Sequence, residues 1–137
     1  MKKKISLVDD SIFDADFLTR ALEACGYKNP ITYARDGAEA LDIIFSDPNA
    51  QERIGLILLD LKMPKLDGFE VLKVLKATPR LQNIPIIVVS ASNLEADRVR
   101  ADLLGAASYI TKPMDPAELI SLLYVMLKPL KSSLIEE

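Results

Sequence analysis

Gly55-Leu56-Ile57-Leu58-Leu59-Asp60, continued by Leu61-Lys62-Met63-Pro64, decides how this chain folds. Its apolar residues follow one another without polar alternation, as in a strand covered on both faces of a parallel sheet. The run ends on a carboxylate. A charge at the edge of an apolar core is costly unless something compensates it, so Asp60 needs a partner.

The pattern recurs at Pro85-Ile86-Ile87-Val88-Val89-Ser90. With Lys4–Val8, Ile54–Leu59, and residues 30–34 and 107–110, this predicts five strands. Helical patterns lie between them. Leu18, Ala21, Leu22 and Cys25 recur at i, i+3, i+4 and i+7, and so do Leu119, Leu122, Leu123 and Met126. Residues 37–45, 67–77 and 93–104 supply the other three. Ser11 with Asp14 reads as a capping pair for the first helix, and Gly26 as its left-handed C-terminal residue. Asp115-Pro116-Ala117-Glu118 gives a cap, a proline in the first turn and an acid at the third position. Five strand–helix pairs in strict alternation imply a parallel sheet covered by helices on both faces. The reading is one domain over residues 1–128 and a short tail over 129–137.

Composition excludes several function classes. The 137 residues suffice for one packed domain, with half of them hydrophobic and 27% charged. A net charge of −3 leaves no basic excess for a nucleic-acid backbone. Lys2-Lys3-Lys4 reads as a short solvated run, and Asp9-Asp10 interrupts the following apolar segment before it could serve as a signal peptide. No run approaches membrane-spanning length. One cysteine, Cys25, fits a reducing cytoplasm. The chain has no histidine, which rules out Ser-His and Cys-His nucleophilic machinery and argues against zinc.

In open parallel sheets, ligands bind beyond the carboxyl ends of the strands where the strand order reverses. The first strand ends in Asp9-Asp10-Ser11, the third in Asp60, the fourth in Ser90-Ala91-Ser92 and the fifth in Ile110-Thr111-Lys112-Pro113. In a 2-1-3-4-5 order, strands one and three are neighbours, and Asp9, Asp10 and Asp60 share a crevice. Three acids together call for a cation, and an oxygen-only donor set favours Mg²⁺. Lys112 adds a second positive group and Ser90 a hydroxyl. A carboxylate nucleophile, a hard metal, a lysine and a hydroxyl are what phosphoryl transfer to an aspartate requires.

At these residues the chain resembles the receiver domain of two-component response regulators, from "SLVDDS" through "ILLDLKMPKLDGFEVL" and "PIIVVSAS" to "GAASYITKP". The choice of strand order above leans on this resemblance. It implies a flavodoxin-like doubly wound five-stranded parallel sheet, order 2-1-3-4-5, with five helices over both faces. It makes Asp60 the phosphoacceptor, Asp10 a direct Mg²⁺ ligand, Asp9 a ligand through water, and the backbone carbonyl of Lys62 a further ligand. Lys112 would contact the phosphoryl group, through a cis Lys112–Pro113 peptide that aims it into the crevice. Ser90 and Tyr109 would form the switch pair, and Lys62 and Ser92 would flank the site and tune hydrolysis. Ser90 stands where the family more often has Thr, and keeps the hydroxyl.

A phosphatase of the haloacid-dehalogenase type would want a second Asp where Lys62 stands. Flavodoxin-like cofactor binding would want a neutral phosphate loop where Asp9-Asp10-Ser11 places negative charge. A phosphorylation-independent interaction module on the receiver fold is the remaining alternative. The leading reading is a cytoplasmic switch that catalyses its own phosphorylation and dephosphorylation. Its donor would be a histidine kinase or phosphotransfer protein, and its output contact with a downstream protein. The fourth helix, fifth strand and fifth helix, with Arg98, Tyr109 and Tyr124, would form the output surface and a homodimer face. The segments "ITYARDGAEALDIIF", "SDPNAQER" and "LKATPRLQNIPIIVVSAS" look like the small regulators paired with bacterial phytochrome-type kinases.

Overall fold

The computed structural model describes residues 2–112 and 115–134. Five strands, β1 Lys4–Val8, β2 Ile31–Ala34, β3 Ile54–Leu59, β4 Ile86–Ser90 and β5 Ser108–Thr111, form one sheet in the order β2-β1-β3-β4-β5. All neighbouring pairs are parallel. The chain steps out from β1 to β2, crosses back to β3 and continues to β5, so the reversal falls between β1 and β3.

Every residue of β3 and β4 is buried. The alternation hidden in their apolar runs sorts side chains between two cores. Leu56, Leu58, Ile87 and Val89 face helices α1 (Ile12–Ala24) and α5 (Pro116–Leu127), against Leu18, Leu22, Leu119 and Leu123. Ile57, Leu59, Ile86 and Val88 face α2 (Gly37–Phe45), α3 (Gly68–Ala77) and α4 (Glu95–Leu103), against Ile44, Leu72, Leu75 and Ala101.

The ends of the elements follow from local chemistry. Ser11 Oγ accepts the Asp14 N–H at 3.2 Å, and Asp115 Oδ2 accepts from Ala117 and Glu118. Gly26, at φ +93°, closes α1 with Tyr27 N–H on the Leu22 carbonyl and Gly26 N–H on that of Glu23. Strands β2 and β4 start one residue after the prolines expected to open them. Pro30 and Pro85 have no N–H to offer, but their carbonyls accept from Ile5 and Ile57, both at 2.9 Å. The loop "SDPNAQER" contains a helical turn over Ala50–Arg53, anchored by Asp47, that has no apolar period to announce it. Beyond α5, the chain turns through Lys128–Leu130 and Lys131–Leu134. Leu134 is fully buried beside Gly55, and Asn29 Nδ2 donates to the carbonyls of Lys3 and Leu134.

Helix α3 is docked onto the end of β3 with no space to spare. Asp67 caps it by accepting from Glu70 N–H at 3.0 Å, and Gly68 N–H donates to the Leu61 carbonyl at 2.9 Å. A Cβ at Gly68 would press on the Asp60 carbonyl oxygen and lie 2.7 Å from Leu61 Cα. Both are backbone atoms that cannot turn aside. Gly68→Ala is therefore expected to destabilise the protein by about 2–3 kcal/mol, read as a fall in the urea midpoint at constant m-value. An unchanged midpoint would show that α3 can move off β3 at no cost.

Candidate functional site

The β1–β3 register brings Val8 opposite Leu59 and levels the two strand ends, so the residues that follow meet in the crevice of the reversal. Asp60 N–H donates to the Val8 carbonyl at 2.9 Å, and Asp9 N–H to that of Ala34 at 3.1 Å. Lys112 N–H donates to the Ser90 carbonyl at 2.7 Å, which aligns β5 with β4 at the same rim. The backbones of Asp9, Asp60 and Lys112 are thus tied to neighbouring strands.

Asp9 and Asp60 are buried, and Asp10 is exposed. Their carboxylate oxygens lie within 4.8 Å of one another. The Lys112 ammonium reaches Asp9 Oδ2 at 2.7 Å, Asp14 Oδ2 at 2.8 Å and Asp60 Oδ2 at 3.5 Å. Asp9 Oδ1 accepts from Ser11 N–H at 2.9 Å, and Asp60 Oδ1 from Lys62 N–H at 3.3 Å. The Lys62 side chain is exposed.

Burial pushes the Asp60 carboxyl up to about 6, with Asp9 and Asp10 adding repulsion against the attraction of Lys112 and the Lys62 N–H. Burial works against the charge on Lys112. Hydrogen bonds to Asp14 and Asp9, with the attraction of Asp60 and Asp9, outweigh that and hold its pKa above the usual lysine value. One ammonium cannot neutralise the acids around it. With oxygen donors only, the uncompensated charge on Asp9, Asp10 and Asp60 fits a hard divalent cation.

Ser90, fully buried at the end of β4, accepts from Ser92 N–H at 3.3 Å. Tyr109 on β5 donates its hydroxyl to the Ser92 carbonyl at 2.8 Å. The Arg98 guanidinium stacks 4.8 Å from the Tyr109 ring centre and donates to Thr111 Oγ1 at 3.0 Å. Ser92 Oγ donates to Asp97 Oδ2 at 2.5 Å. Ser90 and Tyr109 are therefore linked through the β4–α4 loop, and both its flanks reach α4.

The structure brings Asp9, Asp10, Asp60 and Lys112 together, and joins Ser90 to Tyr109 by way of Ser92. Pro113 lies outside the described residues, and with it the expected cis peptide. Asp14, expected from the sequence only as part of a cap, puts its carboxylate among the two closest partners of Lys112. Its first-turn place carries no further signal, because helix electrostatics alone would explain an acid there. A cavity of about 570 Å³ opens beside the crevice, walled by Phe13, Asp14, Phe17, Val89, Lys112 and Leu119. Among the described residues, no helix is long and apolar enough to cross a membrane.

The chain matches the response regulator receiver domain over residues 5–124. It is 37% identical over 111 residues to the probable methanogenesis regulatory protein FilR2 of Methanothrix harundinacea, covering 80% of this chain and 72% of that protein. It spans about half the length of other curated relatives, 53% in the case of the response regulator MprA of Mycobacterium tuberculosis. The phosphorylated cyanobacterial phytochrome response regulator RcpA superposes with a TM-score of 0.80 at 32% identity, over 99% of this chain and 96% of that one. The Mn²⁺-bound form of response regulator Rcp1 gives a TM-score of 0.79 at 30% identity, over 98% and 96%. A family match over most of the chain, with solved relatives that superpose along nearly its whole length, places it: the chain belongs to the response regulator receiver domain family, the phosphorylation switches of two-component signalling.

Proposed function

We propose that Asp60 is the phosphoryl acceptor of this switch. The observation that carries the reading is its placement: the carboxylate ends β3 within 3.5 Å of Lys112 and beside two further acids. Asp60 Oδ forms the bond to phosphorus while the bond from phosphorus to the donor's imidazole nitrogen breaks, and the imidazole keeps that electron pair. The donor is a histidine kinase or a phosphotransfer protein. Asp10, Asp9 (through water), Asp60 and the Lys62 carbonyl would hold Mg²⁺, which when bound would supply positive charge to offset that on the phosphoryl oxygens. Lys112 donates to a phosphoryl oxygen, and so does the Ser90 hydroxyl once it turns towards the crevice. Attack of water on phosphorus then releases phosphate and restores the carboxylate.

Tyr109 carries the change outward, because its hydroxyl is tied to the Ser92 carbonyl two residues from Ser90. Its ring sits under Arg98 of α4, so a shift of the β4–α4 loop alters the face formed by α4, β5 and α5. That face exposes Val99, Leu103, Tyr124 and Val125. We place both a homodimer contact and the downstream protein target there. Likeness along almost the whole chain to RcpA supports pairing with a phytochrome-type kinase. The net charge of −3 supports protein rather than nucleic-acid contact, and the lone thiol of Cys25 supports a cytoplasmic setting.

Incubation with Mg²⁺ and acetyl phosphate is expected to add one phosphoryl mass to the wild-type chain and none to Asp60→Asn. An adduct on both, or on neither, would sink the assignment. The metal-free protein offers an independent check. The Asp60 carboxyl is raised from its usual 3.8 to about 6 on folding, so the folded chain binds that proton more tightly than the unfolded one. The resulting stabilisation is complete below about pH 4 and is lost as pH rises through about 6. Asp60→Asn, which cannot ionise, is expected to exceed the wild type by about 2 kcal/mol in unfolding free energy at pH 7.5, with the difference gone at about pH 4. Equal stability at both pH values would mean that Asp60 is not strained by its burial. For the dimer, light scattering should show Leu103→Glu as a monomer where the wild type is dimeric; a wild type that stays monomeric with and without acetyl phosphate refutes that contact.

A further inference from the structure

The ammonium of Lys112 is not centred on Asp60. Its short contacts are to Asp9 at 2.7 Å and Asp14 at 2.8 Å, while Asp60 is left at 3.5 Å. An ammonium has three N–H donors, and distances under 3 Å to carboxylates are the strong, charge-assisted kind. Asp9 belongs to the clustered acids of the crevice. Asp14 does not; the oxygens gathered within 4.8 Å are those of Asp9, Asp10 and Asp60. Asp14 stands in the first turn of α1, on the wall of the cavity with Phe13 and Phe17. Its side chain is 45% exposed, against 15% for Lys112.

We propose that Asp14 is a positioning residue that draws Lys112 towards α1 and away from Asp60 in the unphosphorylated protein, so that an arriving phosphoryl group has to take the lysine from it. This rests on Asp60 being the acceptor. Of the two short contacts, the one to Asp14 is the one that yields. Asp9 is buried and would be left uncompensated, whereas water can solvate a half-exposed Asp14. The side chain can also be changed without loss of the helix cap, because Ser11 accepts the backbone N–H of residue 14 and not its carboxylate.

The test compares wild type, Asp14→Asn, Asp14→Glu and Asp60→Asn. Calorimetry measures the affinity for beryllofluoride, a non-covalent phosphoryl mimic, in saturating Mg²⁺, and intact mass gives the rate of adduct formation with acetyl phosphate. Asp14→Asn is expected to raise both by about threefold, the scale set by a half-exposed ion pair. Asp14→Glu should return both towards wild type. The gain should persist in about 0.5 M salt, where repulsion between Asp14 and the anionic ligand across solvent is screened. Affinities at or below wild type, or a gain that vanishes in high salt, overturn the inference while leaving Asp60 in place. A wild type that gains no adduct, with beryllofluoride bound equally by Asp60→Asn, removes the acceptor and the inference together.

Discussion

One ammonium set among carboxylates organises the upper rim of this protein. Lys112 joins the last strand to the first through Asp9, to the first helix through Asp14 and to the central strand through Asp60. No hydrophobic contact could make those connections, since the groups meet where the sheet ends and the cores stop. The cluster is far from electrically balanced. Burial lifts Asp60 towards neutrality while the acids around Lys112 hold its proton fast. A site in that condition favours ligands that bring positive charge to the acids or a new anion to the lysine. A metal ion and a phosphoryl group do both.

Much of this was legible in the chain itself. The unalternating runs at 55–60 and 85–90 placed the two central strands, because a strand covered on both faces has no polar side to show. Strand ends then located the acids, since the apolar runs of β1 and β3 stop on Asp9 and Asp60. Other features were hidden for physical reasons. The helical turn at Ala50–Arg53 is short and solvent-facing, so no period marks it. Asp14 was hidden in plain sight as a first-turn acid, a position that helix electrostatics alone would explain. Asp97 lies on an exposed helix, and its role depends on the loop that brings Ser92 to it.

The β4–α4 loop is where the site meets the surface. The Ser92 backbone touches Ser90 Oγ on one side and the Tyr109 hydroxyl on the other, and its own hydroxyl holds Asp97. Any displacement of Ser90 is therefore felt at two points of α4: at Asp97 through the loop, and at Arg98 through the aromatic ring. The strands themselves offer no such freedom, being buried throughout at β3 and β4.

The clamp on Asp60 has a chemical corollary. With a phosphoryl group attached, the side-chain carbonyl would become an activated acyl centre, and the amide nitrogen of Leu61, one residue on, is a nucleophile that could close a five-membered ring on it. Ring closure between the two would form a succinimide, expel phosphate and spoil the residue permanently. Closure requires the backbone at Asp60 and Leu61 to rotate. Asp60 N–H is fastened to Val8, the Leu61 carbonyl to Gly68, and the Leu61 side chain is sealed in the core. If Asp60 is the acceptor proposed above, the same packing that seats α3 on β3 would protect it from self-inflicted ageing over repeated cycles of use.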